Sequence, residues 1–102
     1  MPKFKIDPTP TFSEAVTFRM PGGKFGTINV VYKFMDQDSY RELFTNSKRG
    51  DVAFALEIST EWDAEEAFGE AAIERLFKTY PTAAKAYFST FREAIFGAAE
   101  KN

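Results

Sequence analysis

Two carboxylates, Asp36 and Asp38, open a segment with the first spacing of a calcium-binding loop. Such a loop also needs glycine at its sixth position and a bidentate glutamate at its twelfth. Those positions hold Arg41 and Ser47, so the pair reads as helix-capping residues. Glu65 and Glu66 are adjacent. Neighbours in sequence do not face each other on a helix, so they cannot work as a paired acid and base. Ser13, Ser39, Ser47, Ser59 and Ser89 are the serines, and the chain contains no histidine and no Ser-x-x-Lys step to activate one. Cysteine is absent as well, which removes disulfides, thiolate metal sites and a thiol nucleophile. Gly22-Gly23-Lys24-Phe25-Gly26 is rich in glycine. It lies between two strand-like runs, whereas a phosphate loop leads from a strand into a helix. The expectation is a protein that is not an enzyme, with no metal and no cofactor.

The residue types that are abundant are aromatic: 12 Phe, 4 Tyr and one Trp in 102 residues. A net charge of −2 supplies no basic excess to neutralise a phosphate backbone, so no nucleic-acid partner is expected. The charges are unevenly placed. Asp51, Glu57, Glu61, Asp63, Glu65, Glu66, Glu70 and Glu74 follow one another with no intervening base. A solvated acidic face is the simple reading, and a docking surface for a basic partner is the functional one. Met1-Pro2-Lys3-Phe4-Lys5 lacks the apolar run of a signal peptide. No stretch approaches the roughly 20 apolar residues of a membrane span, so a cytoplasmic location and no membrane partner are expected. The length suits a single domain over 1–102.

The elements that would position these rings can be read from periodicity. Phe4 to Pro10 is an extended lead-in, because Pro8 and Pro10 oppose a helix. Thr11 to Met20 alternates, with Phe12, Val16, Phe18 and Met20 on one face. Phe25 to Phe34 alternates again, with Ile28, Val30, Tyr32 and Phe34 inward. Pro21-Gly22-Gly23 between them marks a β-hairpin turn. The period then lengthens. Asp36 to Ser39 offers N-caps for a helix carrying Tyr40, Leu43 and Phe44, which ends near Ser47–Gly50. Gly50 suits a left-handed C-terminal position, and Lys48 and Arg49 suit the negative end of the helix dipole. Asp51 would cap a second helix bearing Val52, Ala55, Leu56 and Ser59. Trp62 falls in a connection, and Asp63-x-x-Glu66 has capping-box spacing. A third helix from about Glu70 places Ile73, Leu76, Phe77 and Tyr80 inward. Pro81 cannot continue it but fits the first turn of the next, which runs to about Ala99 with Ala84, Tyr87, Phe88, Phe91, Ile95 and Ala98 in a stripe. The expected fold is α+β: an N-terminal β-hairpin packed on three or four α-helices, the last two a helical hairpin joined at Tyr80-Pro81.

The order of these landmarks resembles a known family. Phe4-x-Ile6-Asp7-Pro8-x-Pro10-Thr11-Phe12-x-x-Ala15-Val16 precedes Met20-Pro21-Gly22. A second strand with Phe34 follows, then Trp62-Asp63, then Leu76-Phe77-Lys78-Thr79-Tyr80-Pro81-x-Ala83-Ala84. Over essentially the whole chain this is similar to the tail assembly chaperones of long-tailed bacteriophages and prophages. The resemblance implies a protein without catalytic residues that binds the tape measure protein and helps recruit the tail tube protein. It further implies self-association as a homo-oligomer, action in the host cytoplasm and absence from the finished virion. Many members are made in two lengths by a −1 ribosomal frameshift. Glu100-Lys101-Asn102, if encoded GAA-AAA-AAC, would hold a slippery heptamer; an AAG codon at Lys101 rules that out. The alternatives are a virion structural component, such as a tail completion or head–tail joining protein, and a small acidic adaptor or inhibitor. The partner-binding residues expected from the residue pattern are Phe25 and Val31 on an unpaired hairpin edge, Trp62 in the acidic segment, and Phe96 off the last helix's stripe.

Overall fold

A computed structural model of the chain describes residues 3–46 and 50–97. Two ten-residue strands, β1 (Thr11–Met20) and β2 (Lys24–Lys33), form the antiparallel hairpin. Gly22 and Gly23 take φ of 87° and 75° in its turn, a region that glycine enters without steric cost. The register pairs Val16 with Ile28 and Phe18 with Gly26, which sets one apolar face. Gly26 leaves room for the Phe18 ring there, since a Cβ would lie 2.9 Å from it.

Four α-helices follow among the described residues: α1 (Gln37–Asn46), α2 (Asp51–Ile58), α3 (Glu70–Thr79) and α4 (Pro81–Phe96). The α1 N-cap is Asp36, whose Oδ1 accepts the Ser39 backbone N–H at 2.8 Å. That bond holds its carboxyl below the usual carboxylate range. The α2 N-cap is Gly50 rather than Asp51. Gly50 sits at φ −82°, ψ 177°, an extended conformation, so it opens α2 and is not a left-handed stop for α1. Lys48, Arg49, Ala98, Ala99 and Glu100–Asn102 lie outside the described residues.

A third strand, β3 (Ser59–Trp62), follows α2 without a loop and pairs antiparallel with β2, giving the sheet order β1-β2-β3. Trp62 therefore ends a strand and does not lie in a free connection. The β2 edge is paired at Val30, Val31 and Tyr32, with an irregularity between Val31 and Tyr32. The expected unpaired edge at Val31 is corrected accordingly. No helical turn begins at Asp63; its carboxylate is bound elsewhere, as described below.

The core lies between the inner sheet face and the helices. Helix α4 packs on β1, and α3 and α4 form the helical hairpin at Tyr80-Pro81. Phe91 is fully buried and stands 5.2 Å from the Tyr32 ring and 6.2 Å from Phe12, measured between centroids. Phe77 from α3 meets Tyr87 edge-on at 5.5 Å. Each such ring contributes roughly 1.5–3 kcal/mol by leaving water. Phe34 departs from its expected inward position: β2 stops at Lys33, and the Phe34 ring is 42% exposed.

Candidate partner-binding surfaces

Strand parity places Phe25, Thr27, Asn29 and Val31 on the sheet face opposite Ile28, Val30 and Tyr32. Phe25 is 65% exposed. Val31 is half-buried between Ser13 of β1 and Glu61 of β3. The two share the outer face but stand about 20 Å apart along the strand, so they do not make one patch.

Trp62 pairs with Val30 and so belongs to the inner side of the sheet. It is half-buried. Its Nε1 donates to the Glu66 carbonyl at 2.6 Å, and its ring meets Phe68 edge-on at 5.6 Å. Ile28, Trp62, Leu76 and Tyr80 line an open groove of about 290 Å³ between the sheet and α3, rimmed by Glu65, Glu66 and Arg75. Glu66 pairs with Arg75 at 2.5 Å. Both side chains are exposed, so this ion pair orients the rim more than it stabilises the fold.

Phe96 lies on a different side. It ends α4, is 43% exposed and contacts Tyr40 of α1 edge-on at 4.9 Å. The four rings and side chains singled out from the sequence are thus distributed over three surfaces. Sequence reasoning missed two exposed apolar residues of the lead-in: Phe4 and Ile6 are 88% and 87% exposed. Their alternation with Lys3 and Lys5 was the available signal.

The acidic segment spans α2, β3, the following loop and the first turn of α3. Asp63 is its most engaged member. Its Oδ1 accepts the Asn29 backbone N–H at 2.8 Å and its Oδ2 accepts Asn29 Nδ2 at 2.7 Å. The Asp63 N–H in turn donates to the Asn29 carbonyl at 3.1 Å. These bonds hold the Asp63 carboxyl below the usual range. They also explain why the capping-box spacing does not start a helix. Asp51, Glu61, Glu65, Glu70 and Glu74 face solvent. This arrangement offers apolar rings beside carboxylates, a surface suited to binding protein segments. Among the described residues no cluster of three acidic side chains is disposed to hold a metal. No helix among them is long and apolar enough to cross a membrane.

A family model described as phage tail assembly chaperone matches residues 1–102, the whole chain. No curated protein and no solved structure matches it.

Proposed function

The chain belongs to the phage tail assembly chaperone family, and from that premise we propose that it binds the tape measure protein, keeps it soluble and assists assembly of the tail tube around it, without catalysing a reaction. The whole-chain family match carries this reading. The surface chemistry supports it: exposed Phe25 and Phe96 offer apolar anchors, and the acidic segment offers attraction to basic stretches of a long partner. Val31 on the outer sheet face and Trp62 in its groove are separate further candidates. Self-association would multiply the anchors along the length of the partner, and the work would be done in the host cytoplasm before the virion is complete.

Co-expression with its cognate tape measure protein tests the reading. The expected result is a marked rise in the soluble fraction of that protein and recovery of the two together. An unchanged soluble fraction overturns it.

A further inference from the structure

A second open groove, of about 400 Å³, lies where α1, α2 and α4 meet, and it shares no lining residue with the groove at Trp62. Its floor is made of rings: Tyr40 and Phe44 of α1, Phe54 of α2 and Phe88 of α4, all half-buried. Phe44 is central. It lies 4.6 Å from Tyr40, stacks on Phe54 at 4.8 Å and meets Phe88 edge-on at 6.2 Å, measured between centroids. Phe96 prolongs the run through its contact with Tyr40. A contiguous apolar strip with a polar rim marks a binding surface.

The rim is charged in a defined pattern. Lys85 and Arg92 are exposed on α4 and both line the groove, with Ser89 between them. Seven residues are about two helical turns, so the two cations share one face about 10 Å apart. Among the described residues neither pairs with a carboxylate. The lining carboxylate, Asp51, comes from the first turn of α2.

These features select the form of the occupant. The walls are helices, whose backbone groups are bonded within themselves. An extended segment laid on the rings would bury N–H and C=O groups without partners. A helix satisfies its own backbone and offers a ridge of apolar side chains at i, i+3 or i+4, and i+7. Carboxylates two turns apart beside that ridge would meet Lys85 and Arg92. The chain's own acidic helix, α3, buries Ile73 and Phe77, so it does not supply this ridge from a second copy.

We propose that the groove between α1, α2 and α4 binds an amphipathic α-helix of the partner, with its apolar ridge on Phe44 and the neighbouring rings and its carboxylates facing Lys85 and Arg92. This rests on the function proposed above and deepens it by giving the class of tape measure segment that is recognised.

Overlapping peptides spanning the cognate tape measure protein, titrated against the full chain by fluorescence polarisation, test it. The peptides that bind should carry apolar residues at helical spacing with acidic residues along one flank, and should gain helicity on binding. Lys85→Glu/Arg92→Glu should bind them at least about tenfold more weakly. Its own circular dichroism should be unchanged, because both positions are exposed. Exchanging the flanking carboxylates of a peptide for lysines should weaken its binding to the wild type and restore its binding to the variant. Trp62 is the only tryptophan, so a tryptophan-free peptide should leave the emission unchanged.

Bound peptides without an acidic flank, a variant that binds like the wild type, or a charge exchange that restores nothing overturns the groove assignment and leaves tape measure binding standing. A shift of Trp62 emission places the helix in the other groove and overturns the proposal. A variant that loses self-association but keeps peptide binding assigns the groove to a second copy and also overturns it. If no peptide binds while co-expression still solubilises the tape measure protein, helix docking alone falls; if co-expression fails as well, both readings fall.

Discussion

The Tyr32 hydroxyl donates to the backbone carbonyl of Tyr87 at 2.8 Å, joining the central strand to the last helix. The Tyr87 hydroxyl lies 2.6 Å from Ser59 Oγ, and Ser59 Oγ in turn donates to the Ala55 carbonyl. Strand β2, the start of β3, helix α2 and helix α4 are thus tied by one buried polar chain. Among the described residues no buried side-chain nitrogen or oxygen lacks a partner, so this chain does not leave the core with the cost of an unmade bond.

Tyr32→Phe keeps the ring contacts with Tyr87 and Phe91 but removes the donor. The expected loss is about 1–2 kcal/mol, which for a domain of this size lowers Tm by about 4–8 °C per kcal/mol. Thermal unfolding followed by circular dichroism measures it. A Tm equal to the wild type's would show that the bond adds nothing to folding.

High pH should unfold the protein. Burial pushes the Tyr87 phenol up to about 12, against an ordinary value of 10.0, despite the hydrogen bond it shares with Ser59. Burial moves the Tyr32 phenol in the same direction. Above pH 10 the unfolded chain releases protons that the folded chain keeps, so stability must fall as pH rises. It is full below about pH 10 and is lost through about pH 12. Urea midpoints measured from pH 8 upward should drop over this interval, and Tyr87→Phe should flatten the drop.

Acid should act through Asp63. Its folded value lies below the unfolded 3.8 because Asn29 donates two hydrogen bonds to the carboxylate. The contribution is therefore present above pH 3.8 and disappears as pH falls through the lower folded value. Asp36 adds to the same limb from its cap. Asp63→Ala should reduce the acid dependence without abolishing it. It should also loosen the β2–β3 pairing, visible as a change in Trp62 emission at neutral pH.

Gly26→Ala should be costly although the residue lies near a surface turn. The added methyl would press on the Phe18 ring, which is buried. The expected destabilisation is about 1–3 kcal/mol, measurable by urea unfolding. Met20 Sδ, 3.4 Å from the same position, limits the room in which the ring can move. Gly26→Ala combined with Phe18→Leu should recover part of the loss.

Phe25→Ser and Phe96→Ser separate folding from binding. Phe25→Ser should change stability by about 0.5 kcal/mol or less, whereas Phe96→Ser also gives up the Tyr40 ring contact, so its unfolding is measured alongside. Solubilisation of the tape measure protein should nevertheless fall for whichever ring anchors it. If both variants and the double variant support the partner as well as the wild type, neither ring is an anchor.

Much of the architecture was legible because its signals are local. Ten-residue alternation around Pro21-Gly22-Gly23 specifies the hairpin, and Tyr80-Pro81 specifies the break between α3 and α4. Strand β3 was not legible. Four residues are too few to show a period of two, and they follow α2 with no turn residue between. Its existence depends on β2 offering an edge. Asp63-x-x-Glu66 misled for a related reason: a cap is a local option, and Asn29, distant in sequence, captured the carboxylate first. Phe34 continued the alternation on paper, but the ladder ends one residue earlier. The candidate surfaces divide similarly. The outward side of Phe25 follows from parity alone, whereas the groove under Trp62 exists only once Ile28, Trp62 and Leu76 are brought together from β2, β3 and α3.

The packing of α4 on β1 also has a temporal side. The hairpin leaves the ribosome before its lid, which carries Tyr87 and Phe91. The roughly fifty residues between them take on the order of 2–10 s to synthesise. Throughout that interval Val16, Phe18, Val30 and Tyr32 have no permanent cover. This assembly factor is thus itself a nascent chain with an open apolar sheet, and its yield in the cell should be sensitive to translation speed across α2 and α3.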